Sequence, residues 1–232
     1  MPTPMQTDSP NDAVPRSSPG SSRVIIAVDG PAAAGKGTLA RSLAAALDLP
    51  FLDTGLLYRA VGRRMLDAGL DPADDAGQAA RALRPEDLQR DDLRTPEADR
   101  AASQVAGQAP VRAALLDFQR QFGAERGAVL DGRDIGTVIF PDATVKLFLT
   151  ASIPRRAERR WLQNGGGEEA PEAHADSLAR IGAELAARDD ADAARAAAPL
   201  RAAADAVLID TDRLDAQAVL DEALRIVRAR IA

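Results

Sequence analysis

The sequence predicts an α/β fold, and three observations predict it. Short apolar runs recur at Val24–Val28, Leu49–Asp53, Ala128–Leu130, Thr144–Leu149 and Ala206–Asp210, each of a length and composition that reads as a buried strand. The stretches between them carry helical periodicity instead, as where Leu39, Leu43 and Leu47 fall at i, i+4 and i+8. Polar corners then close several of the strands at their C-terminal ends, which is where open α/β sheets place ligands.

Residues 1–22 come first, with five prolines, scattered serines and almost no apolar periodicity. They read as a disordered tail, and they lack the basic and apolar regions of a signal peptide. The rest, residues 23–232, reads as a single domain.

The first strand runs straight into Asp29-Gly30-Pro31-Ala32-Ala33-Ala34-Gly35-Lys36-Gly37-Thr38 and a helix. Strand, glycine-rich turn and helix in that order form the context of a phosphate-binding loop. Gly30, Gly35 and Gly37 permit a tight turn that aims N–H groups inward, and the helix N-terminus adds the positive end of a dipole. Pro31, Ala32, Ala33 and Ala34 complete the loop. Lys36 can reach the β/γ-phosphate oxygens, and Thr38 can offer a hydroxyl to phosphate or a metal ion. Of 29 basic residues only Lys36 and Lys146 are lysine. A chain this biased toward arginine still has a compact ammonium in the loop, where one suits a triphosphate.

After the second strand, Asp53-Thr54-Gly55-Leu56-Leu57-Tyr58-Arg59 opens a helix to about Ala68, with Arg59 aimed at the same crevice. Tyr58 taken alone reads as a packed helix residue. Residues 69–98 are dense in Asp and Arg and interrupted by Pro72 and Pro85, the pattern of a short surface insertion with broken helices. Thr95-Pro96-Glu97 reads as a helix start, Thr95 at the N-cap and Pro96 in the first position. Ser103 and Arg112 lie on the helices that follow.

The third strand ends in Asp131-Gly132-Arg133-Asp134, two carboxylates, a glycine and an arginine at a strand terminus. A helix from about Pro154 carries Arg155, Arg156, Arg159 and Arg160, which on an acidic protein suggests an anion grip, with Trp161 behind them. Residues 164–169 read as a mobile loop tip. A helix from about Asp176 would place Arg188, Asp192 and Arg195, spaced i, i+4 and i+7, on one face. The last helix shows Leu220, Leu224, Val227 and Ile231 along one stripe, and the lone His174 carries no assigned role.

Composition narrows the class. A net charge of −6 argues against general nucleic-acid binding, so an anionic ligand needs locally clustered arginines. The absence of cysteine excludes disulfides and thiolate metal sites and fits a reducing cytoplasm. No apolar stretch is long enough to span a bilayer.

The loop ends Gly-Lys-Gly-Thr, with Gly37 where Ser or Thr commonly follows the lysine, and in this it resembles the nucleoside monophosphate kinases. Four further segments, 52–59, 101–106, Asp-Gly-Arg-Asp-Ile-Gly-Thr-Val-Ile-Phe-Pro-Asp-Ala at 131–143 and Arg-Asp-Asp-x-Asp-x-x-Arg at 188–195, make the chain from Val24 onward resemble the bacterial-type cytidylate kinases. The resemblance implies a P-loop kinase fold, a five-stranded parallel sheet flanked by helices, with a lid at 155–175 and a monophosphate-binding insertion at 69–112. Many relatives carry a three-stranded β insertion that residues 69–94 are too short and polar to form, so the lobe should be reduced. It implies ATP as co-substrate with Mg²⁺, CMP or dCMP as acceptor, and action as a monomer.

By the same resemblance Lys36, Arg133 and Arg188 are the candidate catalytic residues. Thr54, Ser103, Arg112, Arg188 and Asp192 surround the cytosine, with Tyr58 in the same substrate set. Asp134 holds a sugar hydroxyl, Arg59, Arg133 and Arg195 grip phosphate, and the lid arginines, Arg159 among them, close over ATP. The acceptor is already an oxyanion, so direct in-line transfer needs no general base. Kinases for other monophosphates are disfavoured by the Arg188/Asp192 pair, which suits cytosine's carbonyl and amino group. A GTPase-type switch is disfavoured because no Asn-Lys-x-Asp run occurs. The density of arginines and carboxylates at successive strand ends disfavours a protein that binds nucleotide without transferring phosphate.

Overall fold

A computed structural model describes residues 23–167 and 170–231, so the expected tail at 1–22 and part of the expected loop tip lie outside the described residues. Five parallel strands form one sheet, β1 (Ile25–Asp29), β2 (Phe51–Asp53), β3 (Ala128–Asp131), β4 (Val145–Thr150) and β5 (Val207–Asp210), in the order β2-β3-β1-β4-β5. β1 is central, with Ile26 level with Val129 on one side and Val145 on the other. It is buried along its whole length, as expected for a strand covered on both faces.

The alternation of β1 divides the core. Ile26 and Val28 face α1 (Lys36–Leu47) and α8 (Ala216–Ile231), where Leu39, Leu43, Ala223 and Val227 close the layer. Ile25 and Ala27 face the other way, toward Leu130, Ile135 and Ile139, with Leu116 and Phe122 of α5 (Ala109–Arg126) packed alongside. The buried stripe of α8 is Val219, Ala223, Ile226 and Val227, set about one residue from the expected one, and Ile231 is exposed. The sheet meets the helix on the side where small Ala223 permits close approach, and this displaces the larger Leu220 and Leu224 to the margin.

Two satellite layers rise from the C-terminal edge of the sheet. α2 (Thr54–Asp67), α3 (Gly77–Arg81), α4 (Pro96–Ala106) and α5 pack around Leu57, Val61, Met65, Ala80, Val105, Val111 and Leu115. The insertion between α2 and α4 contains α3 and two short 3-10 turns, Pro85–Gln89 and Asp91–Arg94, and no strand. Thr95 caps α4 as expected, accepting from the Ala98 N–H at 3.1 Å.

α6 (Ile153–Gln163) and α7 (Pro171–Ala193) form the second layer, a hairpin around Ala157, Ile181 and Leu185. α7 starts five residues earlier than expected, with Pro171 in its first turn, where a proline's missing N–H costs nothing. The early start brings His174 onto the indole of Trp161, with ring centroids 4.3 Å apart and planes 10° from parallel. Among the described residues no helix is long and apolar enough to cross a membrane.

Candidate active site

The phosphate-binding loop joins β1 to α1, and its backbone shape depends on particular residues. Gly30 has φ +143°, and a Cβ there would stand 2.2 Å from the Leu149 carbonyl oxygen. Ala33 and Gly35 also take positive φ, +59° and +94°, which turns successive N–H groups toward one concavity. Lys36 opens α1 and reaches back over the loop, its ammonium donating to the Pro31 carbonyl at 2.8 Å with Asp131 at 4.0 Å. Burial pushes the Lys36 pKa down, Arg133 adds to the effect, and Asp131 opposes it. An ammonium held this way gains much from a bound polyphosphate.

The cleft above the loop gathers most of the expected residues. Ala32, Ala33, Gly35, Lys36, Gly37 and Thr38 form one wall; Thr54, Tyr58, Arg59, Ser103 and Arg112 come from α2, α4 and α5; Arg133, Asp134, Arg188, Asp192 and Arg195 close it. Gly30, Pro31 and Ala34 of the loop do not line this cleft. Ala34 and Arg159 line an adjoining cleft with Thr211, Leu214 and Val219. Arg159 donates there to the Thr211 hydroxyl at 2.9 Å and its carbonyl at 2.6 Å.

Several charged groups in the main cleft have definite partners. Arg112 donates to Asp134 and, at 3.3 Å, to the Tyr58 hydroxyl, its guanidinium 5.9 Å from the ring centroid. Tyr58 is therefore both packed in the helix layer and part of the site. Burial raises the Asp134 pKa, and Arg112 opposes that shift. Thr54 donates its hydroxyl proton to the Asp131 carbonyl at 2.7 Å, which leaves its oxygen free to accept.

Three expectations need correction. α7 ends at Ala193, so Arg195 lies past the helix and folds back onto Asp192 from the following turn instead of sharing a face. Asp192, only 1 % exposed, is satisfied by Arg195 and by Arg133, whose Nε donates at 3.1 Å, whereas Arg188 turns toward Asp99 at 3.9 Å. A buried carboxylate takes the donors that reach it with the best geometry, and i, i+4 spacing alone does not decide that. The four arginines of α6 are likewise not one grip. Arg156 is 4 % exposed and ties Asp189 at 2.6 Å to the Ala32 and Ala151 carbonyls, and Arg155 pairs with Glu158 on the surface.

Sequence reasoning passed over three carboxylates. Asp29 accepts from the Ile135 and Gly136 N–H groups at 2.9 and 2.8 Å, fixing the loop that carries Arg133 and Asp134; burial raises its pKa to about 6. Asp53 caps α2 and holds Arg94 at 3.1 Å. Asp99 faces Arg59, Arg160 and Arg188. Asp29 and Asp53 stand first in quoted motifs, though neither received a role, and nothing local marked Asp99.

The family model for cytidylate kinase matches residues 26–229, nearly all of the described chain. This chain belongs to the cytidylate kinase family. A cytidylate kinase of Acidiphilium cryptum is 59% identical over 211 residues, covering 90% of this chain and 97% of that protein. One of Granulibacter bethesdensis is 60% identical over 210 residues, covering 90% and 98%. Among solved structures, an uncharacterized protein from Eubacterium ventriosum superposes with a TM-score of 0.53 at 14% identity, covering 90% of this chain and all of that one, a likeness of fold alone. Of the segment 131–143, Asp131, Gly132, Arg133 and Asp134 line the cleft.

Proposed function

We propose that the two adjoining clefts hold the two substrates of one phosphoryl transfer, and that the residues above divide the work. The enzyme is a (d)CMP kinase, transferring the γ-phosphoryl group of ATP to CMP or dCMP. The observation that carries the site assignment is the convergence of Arg59, Arg112, Arg133, Arg188 and Arg195 on a cleft whose wall is the phosphate loop with Lys36.

In this scheme Lys36 and the loop N–H groups hold the β- and γ-phosphates. The adenosine of ATP lies toward Arg159, Thr211 and Leu214. Arg59, Arg133 and Arg195 take the monophosphate, Asp134 a sugar hydroxyl, and Arg188 and Asp192 the carbonyl and amino edge of cytosine. The Thr54 oxygen, its own proton committed to β3, suits the same amino group. Ser103, whose buried hydroxyl oxygen has no hydrogen-bond partner, is a further contact for the base.

An oxygen of the CMP phosphate attacks Pγ in line. The bond from Pγ to the β,γ-bridging oxygen breaks, and ADP leaves with its electron pair. No proton changes hands, so catalysis rests on positioning and on neutralising charge with Lys36, Arg133 and Arg188. The donor set beside the loop is all oxygen, the exposed Thr38 hydroxyl and the Asp131 carboxylate, which fits Mg²⁺. Bound with ATP, that ion supplies further neutralisation of phosphate charge. The helices of 155–175 act as a lid that excludes water. Action as a monomer is proposed from the family likeness alone, and the cysteine-free composition supports a cytoplasmic setting.

The test is ADP release from Mg·ATP with CMP, dCMP, UMP, AMP, GMP, dTMP or no acceptor. Fast turnover with CMP and dCMP and near silence without acceptor are expected. Preference for another monophosphate would overturn the base-pocket assignments, and turnover without acceptor would overturn the closed lid.

A further inference from the structure

Asp99 takes no step in the transfer, yet three arginines lining the cleft converge on it. It sits in the first turn of α4, in the monophosphate lobe. Its Oδ1 accepts from Arg59 Nε of α2 at 2.8 Å. Its Oδ2 accepts from the Arg160 guanidinium of α6 at 2.5 Å and lies 3.9 Å from that of Arg188 on α7. The carboxylate is 14 % exposed and the three guanidiniums 17–22 %. This cluster is therefore screened less than a surface ion pair.

The surroundings show what the contact spans. An open groove separates α4 from α6 and α7, lined by Pro96, Gln104 and Ile181 among others, and Asp99 reaches across it. The Nε atoms of Arg160 and Arg188 are buried without a hydrogen-bond partner, so Arg160, bonded to Asp99 at its other end, and Arg188, only drawn toward it, each have a donor left over. Three positive charges share one carboxylate in contact, with weaker attraction from Asp53 and Asp131 on Arg59 and from Asp192 on Arg188, and Arg133 nearby adds a further positive charge, so the site is ready for an anion.

The geometry points to Asp99 as a positioning residue: through Arg160 it latches the α6–α7 hairpin to the monophosphate lobe before substrate arrives, and so presents Arg59 to the acceptor phosphate and Arg188 to the base already oriented. This inference rests on the proposed phosphoryl transfer for its kinetic consequences, but the latch itself exists without turnover. Pre-orienting long side chains lowers the entropy lost when the phosphate binds.

The test compares Asp99→Asn and Asp99→Glu with the wild-type enzyme. Asp99→Asn should raise the KM for CMP about tenfold while the KM for ATP stays within about twofold, and Asp99→Glu should restore much of the loss. The same Asn change combined with Arg160→Gln should cost little more than either alone, since both break one contact. Trp161, the only tryptophan, lies on α6 next to Arg160 and reports the hairpin directly. In substrate-free protein its quenching by acrylamide should rise in Asp99→Asn. It should also rise with NaCl in the wild type but not in the variant.

An Asp99→Asn protein with a lowered melting temperature and unchanged KM for CMP would reduce Asp99 to a packing residue and overturn the proposal. A lowered KM would make it a competitor for the arginines, which also overturns it. If the wild type fails to phosphorylate CMP, the reaction reading falls, and the Trp161 measurements still decide the latch.

Discussion

A lysine buried to 5 % exposure at the start of a helix is an unfavourable choice for folding. Burial and the Arg133 guanidinium both disfavour the charged form of Lys36, and the carbonyl of Pro31 and the carboxylate of Asp131 compensate only in part. Such strain belongs to a site whose ligand supplies the missing negative charge. Lys36→Met should therefore lower turnover by about 100-fold or more, the loss typical of a preorganised charge contact to the transition state. Its melting temperature should equal or exceed that of the wild type, because the replacement removes a desolvated cation. Steady-state kinetics beside thermal denaturation check both halves, and normal turnover would refute the assignment of Lys36.

Asp99 has the opposite sign. Burial alone would raise its pKa, but Arg59, Arg188 and Arg160 outweigh burial and hold the carboxyl at about 2, below its ordinary 3.8. A depressed carboxylate contributes stability above its unfolded pKa and loses it as pH falls through the folded one. The stability advantage of wild type over Asp99→Asn should thus shrink by about 2 kcal/mol as pH falls from about 4 toward 2, in paired denaturant titrations. An advantage independent of pH would mean that the arginines do not act through the charge.

At the scale of elements, α2 and α4 meet almost backbone to backbone. A Cβ on Gly62 would stand 2.7 Å from the Ala101 Cβ and 3.0 Å from the Ala101 carbonyl carbon. Alanine would gain roughly 1 kcal/mol of helix propensity over glycine. Overpacking a tight contact costs roughly 1–3 kcal/mol. The Ala101 backbone cannot yield without moving α4, so the cost should win. Gly62→Ala should lower the unfolding free energy by about 1 kcal/mol and raise the KM for CMP, because α4 carries Ser103 and Asp99. Chemical denaturation and kinetics on one preparation would show it; a stabilised variant would mean that the helices separate freely.

The same scale shows what was legible in the chain. The phosphate loop could be read because its strand, turn and helix are contiguous, and the five strands because each is a short apolar run with its own flanking polar corner. The start of α7 was written in Pro171 but masked by the glycines and glutamates before it. The pairing of Asp192 with Arg133 joins residues 59 positions apart, and the grip of Asp29 on Ile135 spans 106. No local spacing encodes contacts of that kind; the sheet order creates them. The motif residues were therefore visible as a set, while their partners inside the cleft were not.

For the whole molecule, the clefts lie where three separately packed layers meet: the sheet with α1 and α8, the lobe of α2–α5, and the α6–α7 hairpin. The lobe has a small apolar core of its own and the hairpin shares one with Ala32 of the phosphate loop, so the polar contacts across the cleft have much of the task of joining hairpin to lobe. A monophosphate would touch the lobe and the 131–134 corner; ATP would touch the loop and the hairpin. Either ligand alone stabilises by mass action, by about 2.7 kcal/mol at one hundred times its Kd. For a domain of this size that is a rise in melting temperature on the order of 5–10 °C. If each ligand also closes the hairpin toward the lobe, the second binds a molecule already ordered by the first, and the coupling is reciprocal. CMP together with a non-hydrolysable ATP analogue should then raise the melting temperature by more than the sum of the separate shifts. The excess should grow in Asp99→Asn, where the layers are less firmly latched beforehand and more of the ordering falls to the first ligand. Shifts that only add, in calorimetry at matched saturation, would mean that the two clefts fill independently and that the arginines between them respond to one substrate alone.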